Sequence, residues 1–222
     1  MAPTILAIDT TQASGSVALA CGDQIVAEVP LEAPDGFAHV IYAHLQRVME
    51  QHELQLPSID CFAATAGPGS FTGVRVGLAC VKGLAEASGR PAVAVSNLEV
   101  LAHFGSATLR APVLDARRGE VYGALYDSEG RLVSAEIVAP LGEWLKMLPA
   151  EVEFVTPEVS ALQQQLTGTR YEGARVSAAP KALAAGVAKI ALRRLVSGGG
   201  QDPAALDANY VRRSDAELFW KE

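Results

Sequence analysis

The stretch that most limits how this chain can fold is ATAGPGSFTGVRVG, residues 64–77, in which an apolar segment runs into a glycine-rich loop and then into a helical pattern. Gly69, Gly73 and Gly77 recur at every fourth residue, so on a helix they share one side. Cys80 extends this strip of small side chains. Such a strip lets another backbone come close, either from the same chain or from a partner.

The same loop is a candidate anion site, because a helix N-terminus presents unpaired N–H groups and a partial positive charge. Ser70 and Thr72 could cap the helix or contact a ligand. The two known phosphate-loop templates are broken, since Val74 follows Gly73 where a Walker A loop requires Lys, and Thr72 stands where GxGxxG requires glycine. We therefore favour close packing over phosphate binding.

Hydrophobic periodicity predicts alternating strands and helices. In the first half we predict strands over 4–8, 16–21, 24–30, 59–64 and 92–95, and helices over 37–49, 74–88 and 97–103. In the second half we predict strands over 112–115, 121–126, 132–138 and 153–155, and helices over 144–148, 158–166 and 181–196. Both halves open with a strand, an acidic turn and a hairpin, which predicts an α/β fold of mixed sheets flanked by helices.

Charge and composition narrow the class of protein. The net charge is -7 and 50% of the residues are hydrophobic, which favours a packed core and disfavours a free-standing nucleic-acid binder. No signal peptide or apolar stretch of about 20 residues occurs, so we expect a soluble, cytoplasmic protein with no membrane contact. The three cysteines, Cys21, Cys61 and Cys80, form no CxxC and are expected to be reduced.

Two turns are candidate binding sites. Asp9, Thr10 and Thr11 follow the first strand, where an aspartate could position a hydrated metal ion and the hydroxyls could contact a phosphate. Simple turn capping explains the same residue types, and we favour it. Arg117 and Arg118 lie in a second turn, where they are either solvated charges or contacts for an acidic segment, tRNA phosphate or a nucleotide.

A peptidase is the least supported class of enzyme. A zinc pair on a helix needs a spacing of three or four residues, whereas His39 and His44 are five apart. No GxSxG nucleophile motif occurs in the sequence.

Several segments together resemble the bacterial TsaB (YeaZ) family. In order along the chain they are ILAIDTT, SVALA, AGPGSFTGVRVG, KGLAEASGRPAVAVSNLEVLA, LDARRGEVY and NYVRR. The pairing of GPGSFTG with DARRGEVY is the most specific feature. The match covers most of residues 1–126 and a short piece of the tail, and residues 127–205 add little.

The resemblance implies two related actin/sugar-kinase-like, or ribonuclease H-like, α/β domains. It also implies a non-catalytic role in threonylcarbamoylation of adenosine 37 in ANN-decoding tRNAs. In this family the catalytic work belongs to a paralogue, TsaD, with which the protein dimerises, and an ATPase, TsaE, joins the pair. tRNA is then reached through the complex, ATP or ADP binds only within it, and the chain alone is expected to form a homodimer and to hold no cofactor or metal.

The catalytic residues of the paralogue do not carry over to this chain. TsaD-like proteins have an HxxxH pair in a segment resembling VNHLEGH, and Asn97 and Leu101 stand at those two positions. Leucine cannot bind a metal and asparagine is a poor ligand for zinc or iron. The glycine-rich second phosphate loop is replaced by residues 115–119 (DARRG), and the Gly-Gly adenosine loop by residues 177–180 (SAAP).

We predict a first domain over 1–105, with partner-binding helices, and a smaller degenerate domain over 106–222, whose C-terminal tail could pack back on the first. The glycine strip motivates the hypothesis that two helices of the first domain form the partner interface. The proposed interface residues are Phe37, Ile41, Leu45, Gly69, Thr72, Gly73, Gly77 and Cys80. The alternative is a small ATPase or kinase of the same superfamily that uses Asp9 and the GPGSFTG loop.

Overall fold

The computed structural model describes residues 2–212, and these divide into two units. The first unit contains residues 2–100 and 180–208, and the second contains residues 101–179 and 209–212. This division differs from the predicted boundary in two segments. Residues 101–105 belong to the second unit rather than the first, and residues 180–208 belong to the first rather than the second. None of the described helices is long and apolar enough to cross a bilayer.

The first unit is built on a five-stranded mixed sheet in the order β3-β2-β1-β4-β5. Strands β1 to β3 are antiparallel neighbours, whereas β4 and β5 run parallel to β1. The bounds of the strands are Thr4–Asp9 (β1), Gly15–Cys21 (β2), Gln24–Leu31 (β3), Cys61–Thr65 (β4) and Ala92–Val95 (β5). Because β1 is central and residues 5–8 are all apolar, both of its faces are buried.

Four helices accompany this sheet: α1 (Ile41–Gln51), α2 (Phe71–Ser88), α3 (Asn97–Ala102) and α6 (Ala184–Val196). Leu6 and Ile8 of β1 lie in one core cluster with apolar residues of α1 and α2. Successive strand residues alternate between faces, so Ile5 and Ala7 point the other way, and α6 packs against β1 and β2. Sequence order alone placed α6 in the second domain, but its alanine-rich face packs on the first sheet.

Helix α2 begins three residues before the predicted start. Ser70 is its N-cap and accepts a hydrogen bond from the N–H of Gly73, so the helix starts at Phe71 rather than Val74. Gly89 ends the helix in a left-handed conformation with a φ of 62°.

The second unit repeats the topology of the first. Its sheet order is β8-β7-β6-β9-β10, again with three antiparallel strands followed by two parallel ones. The strands are β6 (Leu109–Arg117), β7 (Glu120–Asp127), β8 (Leu132–Pro140), β9 (Glu153–Thr156) and β10 (Val176–Ala178), and the helices are α4 (Leu141–Met147) and α5 (Val159–Leu166). The predicted class, two related α/β units with mixed sheets, is confirmed, although β10 was not predicted.

The described residues after α6 contribute to both units. Leu206 is buried in the core of the first unit. Asn209 and Arg212 hydrogen-bond within the second unit, to Glu136 and to the carbonyl oxygen of Ala116. The rest of the predicted tail, 213–222, lies outside the described residues.

Candidate functional site

Asp9, at the end of β1, is fully buried. Its Oδ1 accepts hydrogen bonds from the N–H of Thr11 (3.0 Å), the Thr11 hydroxyl (2.7 Å) and the Thr65 hydroxyl (2.7 Å). Its Oδ2 has no hydrogen-bond partner among the described residues. Burial raises the pKa of Asp9, against the opposing effect of the Thr11 and Thr65 donors. The carboxyl therefore faces the protein interior, in a site that favours its neutral form.

The N-terminus of α2 packs directly on the turn between β1 and β2. The N–H of Ser70 donates to the carbonyl oxygen of Thr11 (2.7 Å), and the Thr10 hydroxyl donates to the carbonyl oxygen of Gly73 (2.7 Å). A Cβ added to Gly69 would lie 2.5 Å from the Thr11 carbonyl oxygen. The close neighbour that the glycine strip requires is therefore the β1–β2 turn of the same chain.

The other two glycines of the strip make the same approach. A Cβ on Gly77 would lie 2.7 Å from the Thr10 hydroxyl, and one on Gly73 would lie closer still to the Thr10 carbonyl oxygen. A backbone oxygen cannot move aside without moving the turn. The packing interpretation of GPGSFTG therefore describes what the loop does in this structure.

Asn97 joins two loops inside the first unit. It is fully buried, and its side-chain Oδ1 accepts from the N–H of Gly67 (3.1 Å) while its Nδ2 donates to the Thr11 hydroxyl. Its own N–H donates to the Gly67 carbonyl oxygen (2.8 Å). Leu101 is also fully buried. Both ends of the Asn97 amide are thus used in holding the GPGSFTG loop to the Asp9 turn.

The residues predicted for the partner interface are mostly inside the first unit. Only Thr72 is exposed and Gly69 is half-buried, whereas the others are buried: Phe37, Ile41, Leu45, Gly73, Gly77 and Cys80. The apolar stripe of α1 faces the sheet, and the glycine strip of α2 faces the β1–β2 turn. The buried residues among those predicted for the interface therefore do not form a surface. The periodicity had identified the faces of the two helices that pack against the rest of the first unit.

A different set of residues forms the outward surface of α1 and α2. Tyr42 is 59% exposed and Phe71 is 46% exposed, and the Arg75 guanidinium lies 3.8 Å from the centre of the Phe71 ring. Ala79 and Gly83 are exposed further along α2. We call these five residues the docking face. The signal that sequence reasoning missed is an aromatic residue, Tyr42, placed off the apolar stripe of its helix.

One side chain of the docking face, Tyr42, contacts both helices. Tyr42 of α1 hydrogen-bonds with the Cys80 thiol of α2, and burial raises the pKa of that thiol to about 11. Cys61 is also buried, whereas Cys21 is exposed.

The second candidate turn lies in the second unit. Arg117, Arg118 and Gly119 connect β6 to β7, and both arginines are exposed. All three have positive φ angles, of 62°, 58° and 76°. The Oδ1 atom of Asp115 accepts from the N–H of Arg117 (2.7 Å).

The N-terminus of α6 is capped by its own unit. The N–H of Ala184 donates to the Ser16 hydroxyl (3.0 Å), and the N–H of Ala185 donates to Oε1 of Glu28 (2.9 Å). A carboxylate therefore occupies the positive end of this helix dipole. Within residues 2–212, no three His, Cys, Asp or Glu side chains are grouped so that they could hold a metal ion.

Comparisons with known proteins agree on one family. The family model described as "TsaD: tRNA N6-adenosine threonylcarbamoyltransferase" matches residues 27–199. The chain is 35% identical over 154 residues to the "tRNA threonylcarbamoyladenosine biosynthesis protein TsaB" of Bacillus subtilis, a match that covers 65% of this chain and 66% of that protein. It is 30% identical over 169 residues to the protein of the same name from Haemophilus influenzae, which covers 73% of this chain and 68% of that protein.

A solved structure supports the same assignment. It is described as an uncharacterized protein with similarity to peptidase YEAZ from Pseudomonas aeruginosa, and it matches with a TM-score of 0.80 and 25% identity. The match covers 95% of this chain and 100% of that one. The strand order, the GPGSFTG loop over the Asp9 turn and these matches lead to one conclusion: the chain belongs to the TsaB (YeaZ) family.

Proposed function

We propose that this chain is a non-catalytic subunit required for threonylcarbamoylation of adenosine 37 in ANN-decoding tRNAs. It acts by pairing with a TsaD-like catalytic paralogue, and a TsaE-like ATPase joins the complex, through which tRNA is reached. The observation that carries the proposal is the docking face, where exposed Tyr42 and Phe71 lie on helices whose other faces are packed inside the first unit.

The first support for a non-catalytic role is that polar residues around the Asp9 turn form hydrogen bonds inside the fold. The side-chain amide of Asn97 hydrogen-bonds with Gly67 and Thr11, and Oδ1 of Asp9 accepts hydrogen bonds from three donors. Leu101 offers no ligand atom for a metal. Asn97 and Asp9 therefore stabilise the first unit through these hydrogen bonds.

The second support concerns nucleotides, which we propose are bound only within the complex and not by the chain alone. The β1–β2 turn lies against α2 so closely that a Cβ on Gly69 would be 2.5 Å from the Thr11 carbonyl oxygen. The first free amides of α6 already donate to Ser16 and Glu28. At both helix N-termini, backbone N–H groups that could face a phosphate therefore donate to the protein itself: that of Ser70 to the Thr11 carbonyl oxygen, and those at the start of α6 to Ser16 and Glu28.

The docking face has the composition of a binding hot spot. Aromatic and arginine side chains dominate the energetics of protein interfaces, and here Arg75 stacks on Phe71 beside them. Ala79 and Gly83 are small and four residues apart, so a partner helix can approach α2 closely between these anchors. When the paralogue is absent, the same face pairs two copies of this chain.

The decisive experiment places a charge in the centre of the docking face. Ala79→Arg should weaken binding to the TsaD-like paralogue about 100-fold, because an unpaired charge would be buried in the contact. The matched control is Ala161→Arg, an exposed alanine on α5 of the second unit, which should leave the affinity unchanged. Isothermal titration gives the Kd, and a reconstituted threonylcarbamoylation assay should lose activity in parallel.

The assay also separates the proposal from its alternative. An unchanged Kd for Ala79→Arg would contradict the docking face. Steady ATP turnover by the purified chain without partners would instead favour a small ATPase or kinase that uses Asp9, whose Oδ2 is unpartnered among the described residues.

A further inference from the structure

The tip of the β6–β7 hairpin carries two arginines in a conformation that suits other residues better. Arg117 and Glu120 lie opposite each other in the backbone register of β6 and β7. Arg118 and Gly119 are therefore the two central residues of the turn. A two-residue hairpin turn with positive φ at both central positions strongly prefers Asn-Gly or Gly-Gly. Here Arg118 has a φ of 58°, and Arg117 before it has a φ of 62°. The hairpin requires the left-handed backbone, but it does not require arginine.

The local structure maintains this arrangement. The carboxylate of Asp115 accepts the N–H of Arg117 and so holds the backbone of the tip. Left-handed backbone costs free energy for residues with a Cβ, and glycine or asparagine would avoid much of that cost. Strain retained at exposed side chains indicates that the side chains have a use.

The charges around the tip favour an anionic ligand. Glu120, the acidic neighbour, is paired with Arg212. Arg212 is in turn fixed by the carbonyl oxygen of Ala116 (2.8 Å) and lies 5.6 Å from the centre of the Tyr122 ring. Arg117 and Arg118 are both exposed, on a chain whose net charge is -7.

Building on the function proposed above, we propose that Arg117 and Arg118 contact phosphates of the tRNA that the assembled complex binds. A planar guanidinium donates two parallel hydrogen bonds to a phosphate, and adjacent arginines suit the closely spaced phosphates of an RNA backbone. A nucleotide in the complex offers the same phosphate chemistry, so the experiment must distinguish these two sources.

The test uses the full chain in complex with its catalytic paralogue. Arg117→Gly combined with Arg118→Asn removes both charges and gives the turn an Asn-Gly pair. We expect the Tm of the isolated chain to rise by a few degrees. We also expect about tenfold weaker binding of an ANN-decoding tRNA at roughly 0.1 M salt, with the slope of log K against log salt reduced by about 1 to 2. ATP affinity of the complex should not change.

Two further variants make the outcome decisive. Lys189→Ala with Arg193→Ala removes two exposed charges from α6 and should leave the tRNA affinity and the salt slope near wild type. Arg117→Gln with Arg118→Gln keeps the side-chain size, and it should lose tRNA affinity even if the first variant damages the hairpin. A loss of ATP affinity without a loss of tRNA affinity, or unchanged binding of both, would overturn the assignment.

The complex itself shows which proposal fails. If the wild-type chain does not bind the paralogue, the proposed function is wrong. If the arginine variants assemble with wild-type Kd and bind tRNA with wild-type affinity and salt slope, only the assignment of the tip is wrong. If they assemble normally but bind an acidic peptide less tightly and tRNA equally well, the ligand is protein rather than RNA.

Discussion

The two units share a strand order, yet the first turn of each has a different environment. The β1–β2 turn is covered by the N-terminus of α2, and Asp9, Thr10 and Thr11 are buried. The β6–β7 turn is exposed and holds Arg117 and Arg118. The segment after the fourth strand differs in the same way: β4 leads into GPGSFTG, whereas β9 leads into Pro157, Glu158 and the short helix α5. One topology therefore supports a closed turn in one unit and an exposed charged turn in the other.

The largest expected loss of stability comes from a variant that disturbs the close packing of α2 on the β1–β2 turn. Gly73→Ala places a Cβ well inside contact distance of the Thr10 carbonyl oxygen, and a backbone atom has no free space to retreat into. We expect the free energy of unfolding to fall by more than about 4 kcal/mol, or the chain to fail to fold. Urea denaturation followed by circular dichroism measures the loss.

The matched control lies on the same helix. A Cβ on Gly83 has no neighbour within 4 Å, so Gly83→Ala should stabilise the chain by up to about 1 kcal/mol through helix propensity. Similar losses for the two variants would mean that the turn is not held by close packing.

The next largest loss of stability is expected when the Asn97 hydrogen bonds between the β1–β2 turn and the GPGSFTG loop are removed. Asn97→Ala leaves the N–H of Gly67 and the hydroxyl of Thr11 without their buried partner, and we expect a loss of about 2–4 kcal/mol. The control, Asn209→Ala in the second unit, removes a part-buried bond to Glu136 and should cost less than about 1 kcal/mol. Equal losses measured by thermal denaturation would contradict a special role for Asn97.

Local sequence patterns predicted most of the elements. The short apolar runs in ILAID and SVALA and the three- and four-residue steps of α1 follow from burial of both faces or of one face, which a sequence displays directly. The start of α2 was placed late because Phe71 and Thr72 do not belong to its apolar stripe, whereas the Ser70 cap sets the true beginning. Strand β10 has only three residues, too few to show a period.

The remaining errors concern contacts distant in sequence. The spacing of Gly69, Gly73 and Gly77 showed that a backbone must come close, but not that it is the chain's own Thr10 and Thr11. The amphipathic pattern of α6 could not show which of two similar sheets it covers. Asn97 was judged only as a missing ligand, because its bonds to Gly67 and Thr11 join segments that are far apart along the chain.

Among residues 2–212, each unit buries one carboxylate, and the two differ in their hydrogen-bond donors. Asp9 receives only uncharged donors on one oxygen, and burial raises its pKa. Burial acts on Glu153 in the same direction, but the N–H groups of Ala107 and Ser106, the Ser177 hydroxyl and the Arg175 guanidinium together lower its pKa. A buried carboxylate is thus charged or neutral according to what its two oxygens meet.

This contrast predicts opposite effects of pH on stability. The folded-state pKa of Asp9 is raised. Its contribution to the free energy of unfolding is therefore complete at low pH, and it is lost as pH rises above about 3.8 through the folded-state pKa. Because that of Glu153 is lowered, its contribution is present above about 4.5 and is lost as pH falls through the folded value. Glu153→Gln should therefore cost about 1–3 kcal/mol at pH 7, and less in acid.

The smallest effect is expected for Asp9→Asn, which imitates the protonated carboxyl. The variant should be within about 1 kcal/mol of wild type at pH 4 and equal to it or more stable at pH 8, because an amide cannot lose the proton whose release destabilises the fold. Urea denaturation of both variants and wild type between pH 4 and 8 measures the two slopes. A large loss for Asp9→Asn that grows with pH would show that Asp9 is ionised in its buried site, and the first turn would then hold a charge as the second does.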